Sequence, residues 1–475
     1  MGKSKVLYIF FAAVLAVGSF APSAIGCYAV VVGRGASTDG AVLLGHNEQN
    51  YGRRFLNFRK VPRIEHKDGE KVKLQGGTEI PQIRESYAFL WSENPGLQYS
   101  DGYLNEWGVA VVSDGCPDRA ENLQKLEANG QLAKGGIGYM LRRLIAERAK
   151  TAREGVQIAG DLIQQVGYPS SRTLVIADPR EAWLLSMSRG KHWVAQRVPD
   201  DGVVLLPNVY VIDKVDLKNK SNFLGSPDLI EYAVKKGWYN SSDREEFDFS
   251  KAYGQRQKRM MDERQWRGQC LVTGKDIGKK PDRKLPFSVK PARKLSVKDV
   301  IEILRFHGEG SLCNNATQEA AVFQLRSNMP VDIGCIYWRC SAEPCSSILT
   351  PWYCGITETP KEYYQAVDVK ENLTLECHFS ESPEKFEPDT GHAWWIFKGL
   401  QDKVKADYRS RIRIVRAECD KYEAGFFAAQ PKVEKKAMEL YRSDKSAAKR
   451  YLTDYSRAVA LSAINKAREL TKQFK

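Results

Sequence analysis

Short runs of branched and apolar residues, separated by turn-forming residues, mark the first half of the chain. Residues 27–32 (CYAVVV) form one such run and residues 41–46 (AVLLGH) form the next. Both are short, rich in branched residues and bounded by glycine, so each is predicted to be a β-strand. Residues 33–40 (GRGASTDG) have the composition of a tight turn. The pattern therefore predicts a β-hairpin over residues 27–46.

The register of this hairpin brings one cysteine next to a group of polar residues. A pairing of Val32 with Ala41 also pairs Cys27 with His46, to within about two residues. The polar sequence His-Asn-Glu at 46–48 then lies beside Cys27 through local geometry alone.

Further apolar runs predict the rest of the secondary structure. Additional strands are expected at residues 86–92, 108–113, 173–178, 182–188, 193–196, 203–206, 320–325, 333–339 and 346–349. Helical spacing and capping residues predict helices at 138–150, 151–165, 227–236, 296–306, 431–445 and 447–472. The order of strands, helices, strands and helices predicts an α+β fold with layered sheets.

The first 26 residues have the pattern of a secretory signal peptide. Lys3 and Lys5 precede an apolar run, residues 6–17, that is too short for the roughly 20 residues needed to cross a bilayer. Ala24 and Gly26 are small residues at the −3 and −1 positions of a cleavage site before Cys27. The prediction is a leader that is removed and a secreted or periplasmic protein, with an N-terminal membrane anchor as the alternative.

The remaining chain is divided by its pattern into two parts. Residues 27–387 carry the strands and are predicted to form the catalytic domain, and residues 388–475 are predicted to form a helical region that packs on it. No later stretch is apolar enough to predict a membrane span, so no membrane association is expected once the leader is gone.

Composition and charge add little to this picture. The 475 residues include 43% hydrophobic residues, ten tryptophans and 21 tyrosines, which is typical of a globular protein with a large core. The net charge is +14, but basic residues are interleaved with acidic ones. This mixture favours a solvated surface over a nucleic-acid-binding stripe.

The cysteines raise the question of disulfides or metal. Export would place the ten cysteines in an oxidising compartment, where most are expected to pair. The group Cys335, Cys340, Cys345 and Cys354 lacks the CxxC spacing of a zinc site, so disulfides are favoured there. No metal or cofactor is predicted.

Cys27 offers a self-contained catalytic group if the leader is cut directly before it. The α-amine of an N-terminal residue has a pKa near 8, so part of it is neutral at pH 7. It can take the thiol proton and activate the sulfur without a histidine. Acyl transfer also requires hydrogen-bond donors for the oxyanion, a role that asparagine side chains can fill.

Several segments carry a resemblance to a known family. These are Cys27 with GRGASTDGAVLLGHNE, YLNEWGVAVVSDG (103–115), LIAERAKTAREGV (144–156), residues 177–201, PNVYVI (207–212), LSVKDVIEILRFH (295–307), SILTPWYCGI (347–356) and HAWWIFKGL (392–400). In this order they resemble the dipeptidase family of N-terminal-nucleophile cysteine hydrolases, which includes the secernins. The resemblance implies a four-layer αββα sandwich in which Cys27 attacks a peptide or amide bond.

The resemblance also assigns site residues. Asn208 matches an oxyanion asparagine, and Asn47 is counted with it and Cys27 as catalytic. Asn105, His46 and Glu48 are assigned to substrate binding. The family commonly has Arg before Asn-Glu and Asp after it, whereas this chain has His46 and Gln49.

The prediction is a secreted cysteine dipeptidase that acts on short peptides and needs no cofactor. A homo-oligomer is compatible with it, and nucleic acid is not an expected partner. One alternative is an amidohydrolase of N-acyl amides, penicillins or bile-salt conjugates at the same site. Another is a lipid-anchored binding protein, because Ala24-Ile25-Gly26-Cys27 partly fits a lipid-attachment sequence.

Overall fold

Two antiparallel β-sheets packed face to face form the centre of the molecule. The structure is a computed structural model that describes residues 26–50, 55–74, 76–95, 100–242, 246–255, 259–275, 280, 284–308, 310–366 and 388–474. The predicted leader, except its last residue, and Cys377 lie outside the described residues.

The sheets and their flanking helices are built from eighteen strands and eleven helices within the described residues. The strands are β1 Tyr28–Val32, β2 Val42–Gln49, β3 Asn57–Val61, β4 Ile64–Glu65, β5 Lys71–Lys73, β6 Glu79–Pro81, β7 Glu85–Ser86, β8 Phe89–Glu93, β9 Ser100–Asn105, β10 Ala110–Gly115, β11 Arg172–Ala177, β12 Ala182–Met187, β13 Trp193–Arg197, β14 Val203–Leu206, β15 Phe223–Gly225, β16 Thr317–Leu325, β17 Cys335–Ser341 and β18 Thr350–Tyr353. The helices are α1 Leu123–Ala128, α2 Met140–Arg148, α3 Ala152–Val166, α4 Leu229–Lys235, α5 Phe249–Tyr253, α6 Arg259–Thr273, α7 Val297–Leu304, α8 Val331–Gly334, α9 Ala393–Ala406, α10 Tyr408–Ser443 and α11 Lys445–Gln473.

Strand order sets the two central layers. One sheet has the order β14-β1-β2-β16-β17-β18, and the other has the order β15-β13-β12-β11-β10-β9-β8-β3. Side chains alternate between the two faces of a strand. In β10 and β11, Val112 and Val175 therefore join the core shared with the first sheet, whereas Val111 and Ile176 face the opposite way, towards α2 and α3.

Helices cover the outer face of each sheet. α2 and α3 pack on the eight-stranded sheet, and α6 and α7 pack on the six-stranded sheet. α7 comes very close to β2, where a Cβ on Gly45 would lie 2.5 Å from Val300 Cγ1. Only glycine leaves room for this approach. The result is the predicted four-layer αββα sandwich.

The C-terminal helices extend the helical layer on the six-stranded sheet. α9 contacts β17, and both α10 and α11 contact β18. α10 continues through Pro431 without a break. It begins at Tyr408, 23 residues before the start of the helix predicted at 431–445. No helix among the described residues has the length and apolar character needed to cross a membrane.

Two buried ion pairs attach α10 to the sandwich. Arg326, which follows β16, makes a bidentate pair with Glu434 at 2.9 and 2.6 Å. Arg305, which follows α7, donates to Glu423 at 2.6 Å. These side chains are largely shielded from solvent, so each charge depends on its partner.

Removal of one of these partners is expected to destabilise the fold. Glu434→Ala leaves the Arg326 guanidinium buried without its carboxylate, which should lower the free energy of unfolding by about 3–5 kcal/mol. Urea denaturation followed by circular dichroism measures the change. Glu439→Ala is the matched control, because Glu439 lies on the same helix in an exposed pair with Lys436. Equal losses in both variants would contradict the role given to Glu434.

Two sequence expectations are wrong in detail. The strand predicted at 346–349 lies at 350–353 instead, and the sequence did not indicate it there because Pro351 falls within it. β18 is an edge strand, where a missing backbone N–H is tolerated. Residues 215–285 were expected to be irregular apart from one helix, yet they also contain α5 and α6. Charged residues on α6 hide its helical pattern.

The disulfide prediction is wrong for the nine cysteines that the structure describes, since none of them forms a disulfide. Cys335 and Cys340 are five positions apart on β17, so their side chains leave opposite faces of the strand. Other thiols donate to backbone oxygens, as Cys354 does to Asn105 O at 3.1 Å. The four cysteines from 335 to 354 therefore do not form one group.

Candidate active site

Cys27 lies directly before β1, at the end of a central strand. β1 pairs with β2 so that Tyr28 faces Asn47, which puts Cys27 opposite Glu48. The register is shifted by two residues from the expected one, within the range allowed by the sequence. Cys27 Sγ lies 3.5 Å from Glu48 Oε2 and also 3.5 Å from the backbone nitrogen of Gln49, which donates to it.

The end of β2 divides its polar side chains between two faces. His46 and Glu48 share the inner face with Cys27, and their ligand atoms and the Cys27 sulfur all lie within 4.8 Å of one another. His46 Nε2 lies 3.8 Å from Asp114 Oδ1, which belongs to β10 of the opposite sheet. Both sheets therefore contribute to the polar group around Cys27.

Asn208 reaches Cys27 through the neighbouring strand. β14 pairs with β1 so that Leu206 faces Ala29, and the same register carries Asn208 to the level of Cys27. A Cβ on Gly26 would lie 2.0 Å from Asn208 Oδ1. A side chain before Cys27 would therefore displace the Asn208 amide, which lies next to residue 26.

Arg264 connects these groups from the outer face of the sheet. Its Nη1 donates to Cys27 O at 3.2 Å and to Asn208 Oδ1 at 3.4 Å. Its Nη2 donates to Gln49 Oε1 at 3.3 Å. The side chain is buried, and burial lowers the pKa of Arg264 while the nearby Tyr28 raises it. No sequence motif pointed to Arg264, because α6 itself was missed.

Gln49 is held by a network of its own. Its Nε2 donates to Leu312 O at 2.8 Å and to Thr317 Oγ1 at 3.1 Å. Its Oε1 accepts from Asn314 Nδ2 at 2.7 Å and from Arg264. A neutral amide can both donate and accept, which an aspartate at this position could not do. Gln49, which stands where the family commonly has Asp, therefore makes hydrogen bonds that an aspartate could not all make.

Asn47 points away from the Cys27 sulfur. Its Nδ2 donates to Leu304 O and to Leu312 O, both at 2.9 Å. These bonds fasten the end of α7 and the following loop to β2. The contacts of Asn47 are structural, and its predicted catalytic role gains no support from them.

Asn105 is not brought to this group. Its Nδ2 donates to Ala146 O and Ala149 O, and its Oδ1 accepts from the backbone nitrogens of Trp107 and Val109. Two donor and two acceptor positions of the amide are thereby used. Asn105 fixes the turn between β9 and β10 against the end of α2, so its predicted substrate contact gains no support either.

The family comparison agrees with the residues described so far. The model of peptidase family C69 matches residues 26–315. The chain belongs to this family. Cys27, Asn208, Arg264 and Asp114 all lie within the matched residues, whereas the C-terminal helices α9 to α11 lie beyond them. As a member of family C69, the protein is a hydrolase of peptide bonds.

Curated relatives of this C69 peptidase have similar lengths. A protein of Latilactobacillus sakei named "Probable dipeptidase" is 25% identical over 410 residues, covering 80% of this chain and 81% of the relative. A "Probable dipeptidase B" of Streptococcus pyogenes serotype M1 is 24% identical over 459 residues, covering 89% and 87%.

Solved structures show only a distant likeness to this C69 peptidase. A mutant conjugated bile acid hydrolase of Clostridium perfringens has 10% identity and a TM-score of 0.32, covering 67% of this chain and 89% of that one. Penicillin V acylase of Agrobacterium tumefaciens has 11% identity and a TM-score of 0.33, covering 66% and 83%. These TM-scores are too low to support an argument about the fold. The four-layer αββα description therefore rests on the sheets and helices of this chain.

Proposed function

We propose that this C69 peptidase is a cysteine dipeptidase in which Cys27 is the N-terminal nucleophile. The observation that carries the proposal is the position of the Cys27 sulfur, 3.5 Å from the Gln49 backbone nitrogen and next to Glu48. The arrangement of Asn208 beside the same residue adds an oxyanion donor. The relatives that are named as dipeptidases support dipeptides as the substrates.

The reaction would proceed in two acyl-transfer steps. The α-amine of Cys27 takes the thiol proton, and the sulfur attacks the carbonyl carbon of the substrate. The Asn208 amide, oriented by Arg264 on its oxygen, donates from Nδ2 to the oxyanion. The α-ammonium then returns the proton to the leaving amine, which departs. Water, deprotonated by the same α-amine, then attacks the acyl carbon. The carbon–sulfur bond breaks, the acid product leaves, and the α-ammonium returns its proton to the Cys27 thiolate.

Charge near the nucleophile favours a substrate with an ammonium group. Glu48 lies next to Cys27 Sγ, and Asp114 lies next to His46. A carboxyl group beside the reacting sulfur, with a second beside His46, complements the α-ammonium of an unblocked dipeptide. An N-acylated amino acid lacks this charge, so the proposal is a dipeptidase in preference to an amidohydrolase of N-acyl substrates.

We also propose that residues 1–26 are removed during export, so that the mature enzyme is secreted or periplasmic. Small residues at positions 24 and 26 and the short apolar run support cleavage before Cys27. The mechanism requires the same cut, because the α-amine acts as the base only when it is not in a peptide bond.

Substitution of the oxyanion asparagine tests the proposed site. Asn208→Ala in the mature protein should lower kcat for an unblocked dipeptide by about 10²–10³, because one donor to the oxyanion is lost. Steady-state hydrolysis is measured by release of the free amino acids. Asn222→Ala, at an exposed asparagine, is the matched control. A kcat for Asn208→Ala within twofold of the control would refute the role of Asn208.

The same assay separates dipeptidase from amidohydrolase. The unblocked dipeptide should be hydrolysed, and its N-acetylated form should be hydrolysed far more slowly. Faster hydrolysis of the acetylated form would refute the dipeptidase proposal while leaving Cys27 as the nucleophile.

A further inference from the structure

We propose that His307, Cys313 and Cys345 bind one divalent metal ion of the zinc class, at a site separate from Cys27. A ring nitrogen of His307 and the sulfur atoms of the two cysteines all lie within 4.8 Å of one another. Tetrahedral zinc with bonds of about 2.3 Å to sulfur and 2.0–2.1 Å to nitrogen needs ligand atoms at slightly shorter separations. Small side-chain rotations are enough to bring the three ligands onto one ion.

The three ligands come from separate parts of the chain. His307 follows α7, Cys313 precedes β16, and Cys345 lies in the loop between β17 and β18. Tyr408, the first residue of α10, joins them. Its hydroxyl is within hydrogen-bonding reach of Cys345, and its ring centroid lies 5.4 Å from that of His307. These residues are therefore brought together by the tertiary fold and not by their proximity in sequence.

An acidic side chain stands with the two thiols. The buried carboxyl group of Glu343 interacts electrostatically with both Cys313 and Cys345. A divalent ion would offset the negative charge of thiolates beside this carboxyl group.

Binding involves no change of oxidation state. Each cysteine that is still protonated gives its proton to solvent as the metal–sulfur bond forms, so up to two protons are released. His307 binds through a neutral ring nitrogen. Its exposed side chain gives the ion a route from solvent, and water can fill the fourth position.

A disulfide between Cys313 and Cys345 explains less of the geometry. A disulfide would involve only the sulfur atoms of these two cysteines. The convergence of His307 and Tyr408 on the same sulfur has no role in a disulfide, whereas an imidazole completes a metal site.

The position of the site gives the ion a structural task. Cys313 lies between Leu312, whose carbonyl accepts from Gln49, and Asn314, which donates to Gln49. The backbone nitrogen of Gln49 in turn donates to Cys27 Sγ. A bound ion would therefore tie the loop that holds Gln49 to α7 and α10, outside the reacting atoms.

Cobalt titration tests the site in the full mature protein. The Cys27→Ser background removes the thiolate of the other group of possible ligands, which contains Cys27, His46 and Glu48. Reduced, metal-stripped protein should bind one equivalent of Co²⁺ with thiolate-to-cobalt absorption in the near ultraviolet. Zn²⁺ should displace the cobalt and raise the thermal midpoint.

Variants assign the ligands. Cys313→Ser and Cys345→Ser should each abolish the thiolate absorption, and His307→Ala should weaken binding. Tyr408→Phe should weaken it by about 10-fold, as expected for a group that orients a ligand. Cys116→Ser, which changes a buried thiol hydrogen-bonded to Thr173, is the control and should bind normally. If a serine variant does not fold, His307→Ala and Tyr408→Phe still decide the matter.

Three results would overturn the proposal. The first is a folded Cys27→Ser protein without cobalt–thiolate absorption. The second is binding unaffected by His307→Ala and Tyr408→Phe together. The third is a native Cys313–Cys345 disulfide, found by mass spectrometry after alkylation, in protein that binds no metal after reduction.

Discussion

The mature chain with Cys27→Ala is expected to lose dipeptide hydrolysis by a factor of about 10⁴–10⁶ while it stays folded. The substitution removes the only sulfur that the proposed mechanism uses, and loss of a nucleophile has effects of this size in other hydrolases. Sulfur is a weak hydrogen-bond donor and acceptor, so the loss of the thiol's contacts with Glu48 and Gln49 should cost little stability. Hydrolysis rates and a denaturation curve measure the two effects.

Cys419→Ala is the control for this substitution. Cys419 is a buried thiol on α10, outside the residues matched by the C69 family model. Its replacement should change stability at least as much as Cys27→Ala and leave hydrolysis intact. If Cys27→Ala kept more than a few per cent of the activity of the control, another residue would have to be the nucleophile.

A chain that retains Gly26 should be strongly impaired, though less than one without the thiol. With Gly26 present the α-nitrogen of Cys27 is an amide and can no longer accept a proton. General-base catalysis contributes about 10²–10⁴ in rate, so kcat should fall by that factor. Gly26 also lies next to the Asn208 side chain.

Two preparations of the same protein make this comparison. One is cut to begin at Gly26 and the other at Cys27, and intact mass confirms each N-terminus and the absence of lipid. Removal of Gly26 by an aminopeptidase should restore activity to the first preparation. Equal activity in both, with the extra glycine still present, would show that the α-amine of Cys27 is not the base. A mass increased by lipid would reject the enzyme mechanism altogether.

Local pattern determined much of the central fold. Branched, apolar runs such as CYAVVV have few stable alternatives to a buried strand, and β1 and β2 form where these runs occur. The short GRGASTDG turn then fixed the register to within two residues. This placed Cys27 next to the His46–Glu48 segment before any tertiary contact was known.

The same pattern did not indicate which contacts each asparagine makes. Asn47 and Asn105 stand in segments that resemble the family, as Asn208 does, yet their amides are used by backbone atoms of distant elements. Which partner an amide finds depends on elements 40 to 260 positions away, such as Ala146 for Asn105 and Leu304 for Asn47. Spacing along one strand contains no information about these partners.

Sequence by itself determined the layered sheets, the hairpin and the cysteine at its start, because these depend on periodicity and turns within a few residues. Only the tertiary structure decided that Arg264 links Cys27, Asn208 and Gln49, that Asp114 faces His46, and that Cys313 and Cys345 lie together. These contacts join segments from different layers. They arise when burial of the sheets and helices brings polar side chains into a common interior, where each must find a partner.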